Sequence, residues 1–507
     1  MLNNVLPSTL LLYLLTTTPL VNAQERIPLD SLVSLTSGNL NPNSNTTFTL
    51  PTATSLTISL SICSFSARFF VANNTDDGTR EITAQEGMST FSGQFQDGGT
   101  LIVDSTSGGG SGMIQVGASG KGPLQEHLSS FPLLGDTTSN QAILFSPPFE
   151  SHNVEEPKYP NYTLPISINT RQPSSPPNFT LIVSSGSQRD QVGCILQNFT
   201  SAATASMGTV ANMTTWLREA SEGWREQWLI EGLSPQTNYT AFLVRDGRKI
   251  SGPAHFLTKS STYTFPQLLA LELNSHRGAF SCPLAMSLSF CPGVSYAVPL
   301  AAPAAPSTIY DESNIPQSIS NGINEYMTNF TASLTTFACG RDFYSPLQMC
   351  SDCQREYRRW LCAIAFPRCG EASPTSDAAP ASASSSGSRA RRLFPRLLSS
   401  DSDESESRQP VSALASQPSN APSRSPLFPS FNTSYDLLLP CIETCQSVDR
   451  ACPVSLGFKC PPTSRFMSTA KQSYGVGIVD GVDDNQERLG TAGASSDIWG
   501  NVWCNGG

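Results

Sequence analysis

Two stretches decide how this chain reads: CGRDFYSPLQMCSDCQREYRRWLCAIAFPRC (Cys339–Cys369) and CIETCQSVDRACPVSLGFKC (Cys441–Cys460). Together they hold nine of the fourteen cysteines. In the first, Cys350, Cys353, Tyr357, Trp360, Leu361 and Ile364 recur at intervals of three and four, which predicts an amphipathic helix. Arg355, Glu356, Arg358 and Arg359 fall on its other side, where charge stays in water. In the second, Cys441, Cys445, Val448 and Cys452 keep the same spacing and put three sulfurs on one helix face. Two helices that point cysteines inward make a module held together covalently.

Whether those thiols are oxidised depends on the compartment. Residues 1–23 read as a signal peptide: Leu10 to Leu15 is a short apolar run, and Val21-Asn22-Ala23 has the small-x-small form of a cleavage site. No Lys or Arg precedes the run, so only the amino terminus supplies positive charge. Nine Asn-x-Ser/Thr acceptors point the same way: Asn45, Asn73, Asn161, Asn178, Asn198, Asn212, Asn238, Asn329 and Asn432. With an even cysteine count, signal and acceptors place the chain in the secretory pathway and make its cysteines disulfide candidates.

At 507 residues the chain is long enough for about three domains. Charged residues are 14 %, and Ser, Thr, Pro and Gly are abundant, a composition that suits β-rich extracellular modules. The formal net charge of −10 excludes nucleic acid as the natural partner, because phosphate binding needs a basic face.

Residues 24–150 read as a β-sandwich-like domain. Ser55 to Ile62 alternates strictly, Phe69-Phe70-Val71 and Leu101-Ile102-Val103 are β-type runs, and Asp76-Asp77-Gly78 and Asp97-Gly98-Gly99 supply turns. The run Gly108 to Gly112 lacks the Lys-Ser/Thr ending of a phosphate loop. Residues 158–260 read as a second β domain. Its landmark, Leu233-Ser234-Pro235-Gln236-Thr237-Asn238-Tyr239, resembles the tyrosine corner of fibronectin type III domains, where the Tyr hydroxyl ties back to nearby backbone. A helical insert is expected near Met213 to Trp228, with Trp216, Trp224 and Trp228 packing into a core or between domains. Cys63 and Cys194 lie one in each β unit and are candidates to bridge them.

Residues 280–370 and 431–507 form the two parts of a cysteine-rich domain, with a Ser/Pro/Ala-rich insertion expected to be disordered over 371–430. Arg389-Ala390-Arg391-Arg392 within it has the form of a processing-protease site. Residues 283–306 are apolar enough to raise a membrane span, but Pro283, Pro292, Pro299, Pro303 and Pro306 repeatedly remove backbone donors.

The order Cys282 to Cys291, Asp342 to Cys350, Trp360 to Cys369, Leu439 to Cys445 and Arg450 to Pro453 resembles a frizzled-type cysteine-rich domain. The disulfide candidates in that region are Cys282, Cys291, Cys339, Cys350, Cys353, Cys362, Cys369, Cys441, Cys445, Cys452, Cys460 and Cys504. The whole arrangement is similar to the fungal family of the mating-pheromone-induced-death calcium-channel subunit, whose animal relatives accompany the sodium-leak channel. That resemblance implies a multidomain fold, with β-sandwich-like units followed by a mainly α-helical, disulfide-rich, frizzled-like domain. It implies an auxiliary subunit on the extracellular face of a four-repeat voltage-gated-type cation channel, supporting calcium influx at the plasma membrane, with a pool in the endoplasmic reticulum. Family members have also been described as stretch-activated channels, and frizzled-type domains elsewhere serve as ligand receptors, so pore component and ligand-binding or adhesion ectodomain stand as alternatives.

Catalysis is not the expected activity. His127, His152, His255 and His276 all lie outside the cysteine-rich core, and no Gly-x-Ser-x-Gly elbow, His-Glu-x-x-His helix or dinucleotide loop is present. No cofactor is implied. Cys350 and Cys353 with Cys441 and Cys445 have tolerable zinc spacing, but an oxidising compartment favours disulfides. Asp480, Asp483, Asp484 and Glu487 form an acidic loop suited at most to weak calcium contact, since the ordered Asp-x-Asp-x-Asp-Gly pattern is missing.

Overall fold

The computed structural model describes residues 25–36, 45–62, 67–74, 78–84, 87–104, 113–128, 130–150, 161–167, 173, 175–185, 208–218, 223–261, 280–341, 345–371, 413–461, 473–475, 502 and 504–506. The expected signal peptide, Cys63, Asp76, Asp77, the Gly108–Gly112 run, His152, Cys194, Asn198, His276, the Arg389–Arg392 site and the Asp480–Glu487 loop lie outside them. The chain divides into two compact units, Met1–Glu126 and His127–Gly507.

The first unit is a two-sheet sandwich. Its strands are β1 (Glu25–Arg26), β2 (Ser31–Thr36), β3 (Asn45–Leu50), β4 (Ala53–Ile62), β5 (Arg68–Asn73), β6 (Thr79–Ile82), β7 (Met88–Phe95), β8 (Gly99–Asp104) and β9 (Met113–Ser119). One sheet runs β1-β3-β8-β5-β6 and the other β2-β9-β4-β7. Alternation in β4 does what period two predicts: Leu56, Ile58 and Leu60 enter a core shared with Phe48, Phe69, Leu101, Val103, Ile114 and Val116. The polar residues between them are buried as well, because the chain after β9 covers that face, with the Leu124 amide donating to Ser59 Oγ at 3.0 Å. Asp97-Gly98-Gly99 turns β7 into β8. Gly98 has φ +77°, and a Cβ on Gly99 would stand 2.6 Å from the Ala72 carbonyl oxygen.

The second unit begins within β10 (Glu126–His127) and continues with β11 (Leu133–Thr137), β12 (Gln141–Phe145), β13 (Phe179–Ser185), β14 (Thr209–Trp216), β15 (Arg225–Glu231), β16 (Asn238–Arg245) and β17 (Lys249–Leu257). Sheets β10-β17-β16-β13 and β11-β12-β15-β14 face each other. The domain boundary expected near residue 150 therefore falls earlier, because β12 pairs with β15 from Gln141↔Glu231 to Phe145↔Gln227. The expected helix over Met213 to Trp228 is two paired strands instead. Its tryptophans suit either structure, and the cross-strand register of β14 on β15 wins over local spacing. Trp224 and Trp228 are buried, 4 % and 2 % exposed.

Every residue of β12 is buried, since its two faces serve two cores. Ala142 and Leu144 face the second sandwich, with Trp228, Ile230 and Leu243. Ile143 and Phe145 face the cysteine-rich region, with Leu229, Cys282, Leu284, Met286, Ala297 and Cys369. This strand makes sandwich and cysteine-rich region one body.

The cysteine-rich region carries short strands β18 (Leu284–Ala285), β19 (Tyr296–Ala297), β20 (Arg368–Gly370), β21 (Leu414–Gln417) and β22 (Tyr435–Leu438), and helices α1 (Gln317–Leu334), α2 (Cys350–Ala365) and α3 (Ile442–Ala451). It is mixed rather than mainly helical, because long irregular segments between disulfides fill the space around the three helices. The apolar residues 283–306 form β18, β19 and turns, with Leu284, Leu288, Val294 and Val298 fully buried in the core. No helix among the described residues is long and apolar enough to cross a membrane. The expected disordered insertion is too long at its C-terminal end: β21 pairs with β22, and Phe428 packs edge-on against Phe366 at 5.4 Å. Residues 372–412 of that expectation lie outside the described residues.

Candidate functional site

Six disulfides join the twelve cysteines from Cys282 onward: Cys282–Cys369, Cys291–Cys362, Cys339–Cys350, Cys353–Cys452, Cys441–Cys504 and Cys445–Cys460. Cys353–Cys452 ties the first turn of α2 to the end of α3 across 99 residues of sequence. Cys441 and Cys452 cap α3 rather than lying within it, so its sulfurs leave in three directions, to Cys504, Cys460 and Cys353. The zinc spacing is therefore spent on bonds to four different partners. Among the described residues Cys441, Glu443 and Cys504 cluster closely enough for a metal, but two of the three are bonded to each other.

Helix α2 is covered on more sides than its sequence pattern indicates. Arg358 is buried, 7 % exposed, and donates from Nη2 to the Pro165 carbonyl at 2.7 Å, while burial lowers its pKa to about 10. Arg359 donates to the Gly506 carbonyl at 3.2 Å. The helical spacing alone places both charges in water. Distant segments, at Pro165 and at the C-terminal end, close over them, and no local periodicity reports that.

A buried ionic node locks this region to the second sandwich. Asp136 on β11 accepts from Arg368 Nε at 3.2 Å, from Lys259 Nζ at 2.6 Å and from the Ala297 amide at 3.1 Å. Burial alone would raise the Asp136 pKa, but the two cations outweigh it and hold the carboxyl below its usual range. Burial lowers the Lys259 pKa despite the Asp136 charge. The Arg368 guanidinium also lies 5.1 Å from the centroid of the Tyr296 ring. Tyr296 donates to the Phe366 carbonyl at 3.1 Å and accepts from Asn505 Nδ2, and burial pushes its pKa up to about 12. Asp136 sits in Gly135-Asp136-Thr137, which reads locally as a turn, so nothing in the sequence marks it as the counter-ion of residues 123 and 232 positions away.

The second sandwich carries the tyrosine corner: the Ser234 amide donates to Tyr239 Oη at 2.8 Å. Of the glycosylation acceptors, Asn45, Asn161, Asn178, Asn212, Asn238, Asn329 and Asn432 are exposed, and Asn73 is half-buried with Nδ2 donating to the Gln94 carbonyl. A groove of about 450 Å³ opens between α2 and residues 424–427, walled by Tyr326, Tyr357, Trp360, Leu427, Leu438 and Tyr474. The Trp360 indole N–H is held by Tyr474 Oη at 3.0 Å.

A β-rich chain whose C-terminal region is cross-linked six times defines a class: a multidomain protein of an oxidising compartment, extracellular or membrane-associated. The chain belongs to the fungal Mid1 family, whose model, described as a stretch-activated Ca2+-permeable channel component, matches residues 37–491. The stretch-activated cation channel MID1 of Cryptococcus neoformans is 35 % identical over 463 residues, covering 86 % of this chain and 68 % of that protein. The stretch-activated cation channel yam8 of Schizosaccharomyces pombe is 28 % identical over 271 residues, 53 % of this chain and 44 % of its own length. The MID1 channel of Saccharomyces cerevisiae is 25 % identical over 255 residues, 49 % and 37 % respectively. The chain thus matches less than half the length of the latter two.

Proposed function

We propose that this chain acts outside the cell as an auxiliary, regulatory subunit of a voltage-gated-type cation channel, supporting calcium influx across the fungal plasma membrane. One observation carries the choice of subunit over pore. The apolar run at 283–306 is spent on the protein core, where Leu284, Leu288, Val294 and Val298 are fully buried. The cysteine-rich region, fixed by six disulfides and joined to the second sandwich through β12 and the Asp136 node, supplies a preorganised docking body. Such a body loses little entropy on binding. Asn329 and Asn432, exposed on that region, mark faces a glycan would keep clear of the partner.

That the relatives are stretch-activated cation channels favours a second reading, in which the chain contributes to the pore itself. Purification from its own membranes separates the two. The subunit reading expects a four-repeat pore protein to copurify and purified chain alone to leave planar bilayers silent. Stretch-activated calcium current from the chain alone would replace it with the pore reading.

A further inference from the structure

Strand β14 (Thr209–Trp216) ends its sheet, β11-β12-β15-β14, and no described strand pairs with its outer side. Its sequence, TVANMTTW, has no charge and no proline, and its first five residues are exposed. Val210 and Met213 are 47 % and 58 % exposed. Their cross-strand partners, Ile230 and Trp228, are buried in the sandwich core, which neither Val210 nor Met213 joins. An uncharged, apolar, extended edge is a template for pairing with another chain, and proteins blunt such edges with charge, proline, a bulge or a cover. Here a register shift between Val210 and Asn212 supplies a bulge, while charge and proline are both missing from the strand.

Within the strand lies Asn212-Met213-Thr214, an acceptor tripeptide whose Asn is exposed. Thr214 carries a second, independent observation. Its Oγ1 is buried and has no hydrogen-bond partner among the described residues. A buried hydroxyl without a partner costs stability, so packing alone favours Val at this position. An Asn-x-Thr acceptor, by contrast, requires that hydroxyl.

We propose that an N-linked glycan on Asn212 is the cover of edge strand β14 and keeps two copies of the chain from pairing through it. In the transfer, the Asn212 amide nitrogen bonds to the anomeric carbon of a dolichyl-diphosphate oligosaccharide. The bond from that carbon to the diphosphate breaks, dolichyl diphosphate leaves, and the amide gives up one proton to the transferase. An incoming strand would lie about 4.8 Å from β14, in space that a branched sugar chain on Asn212 takes. The role is the same for a channel subunit and for a pore component.

The test uses the full chain secreted from its host. Glycopeptide mass spectrometry reads occupancy at Asn212. Sedimentation velocity reads mass over about 1–100 μM, where bare strand edges associate. The unsubstituted chain should be occupied at Asn212 and monomeric. Thr214→Val removes the acceptor without touching Asn212; its melting temperature should be unchanged or higher, while its mass rises about twofold with concentration. Thr214→Ser keeps a hydroxyl, so occupancy and the monomer should persist. Met213→Lys added to Thr214→Val puts a charge on the bare edge and should restore the monomer. If Thr214→Val is not secreted, the secreted unsubstituted chain and Met213→Lys are both trimmed to single sugars with endoglycosidase H. Only the former should then associate. Three results overturn the proposal: Asn212 unmodified in the secreted chain, a bare edge that leaves the chain monomeric, or association that Met213→Lys does not relieve.

Discussion

The Arg368 guanidinium lies 3.2 Å from the buried carboxylate of Asp136, 232 residues earlier in the chain. That pair joins strand β20 of the cysteine-rich region to strand β11 of the second sandwich, and Lys259 completes it from the far end of β17. Two domains that the sequence separates are thereby one folded body.

Substituting Asp136 by Ala removes the anion and leaves Lys259 and Arg368 buried without it, a change worth about 3–5 kcal/mol of stability. Secreted yield should fall, and the melting temperature of what is secreted should drop by several degrees in scanning calorimetry. The same pair sets an acid limit. Because the Asp136 pKa is lowered on folding, its contribution is fully present above the unfolded value of 3.8 and is lost as pH falls through the lower folded value. The Asp136 contribution, read as the gap in unfolding midpoint between the unsubstituted chain and Asp136→Ala, should stay constant from neutral pH to about 4 and shrink below it.

Glu226 behaves oppositely. Its side chain is 6 % exposed, Oε2 has no hydrogen-bond partner, and burial pushes its pKa up to about 7 from 4.5. The folded state therefore holds a proton that the unfolded chain releases between these values, and stability declines as pH rises through that window. Glu226→Gln should change little at pH 5 and stabilise at pH 8 by about 1–3 kcal/mol, read as a melting-temperature gap that opens with pH.

The Cys353–Cys452 bond closes a far longer loop than Cys339–Cys350, with sequence separations of 99 and 11. In the chain-entropy account a loop near 100 residues contributes about 4.7 kcal/mol and one of 15 about 3. Paired Cys→Ser substitution at 353 and 452 should reduce secretion more than the same change at 339 and 350. Quantitative blotting of medium against cell extract checks the order.

Tyr239→Phe keeps the ring that stacks on Phe256 at 5.5 Å and removes the oxygen that accepts from the Ser234 amide. The freed amide should cost about 1–3 kcal/mol. Its exchange with deuterium should speed up while amides of the first unit keep their rates.

Glycan occupancy should follow exposure. Peptide mass spectrometry is expected to find Asn329 and Asn432 modified and Asn73 modified least, since the Asn73 side-chain nitrogen already donates to the Gln94 carbonyl.

The chain's own letters determined what depends on near neighbours. Alternation placed Leu56, Ile58 and Leu60 in a sandwich core, three-and-four spacing gave α2 and α3, and Leu-x-Pro-x-Thr-x-Tyr gave the corner at Tyr239. In each, burial of the apolar side meets a local preference. Helix α1 carries the four-residue spacing of Ile319, Ile323 and Met327, but the polar residues around them hide it from a reading of the sequence.

Tertiary structure alone decided the rest. Sequence does not say which of twelve thiols meet, that Ala142-Ile143-Leu144-Phe145 divides its faces between two cores, or that Arg358 and Arg368 are buried. Those outcomes depend on contacts between segments tens to hundreds of residues apart, where closing the chain costs entropy that only the assembled core offsets. A short window of sequence holds one partner of each such contact and not the other.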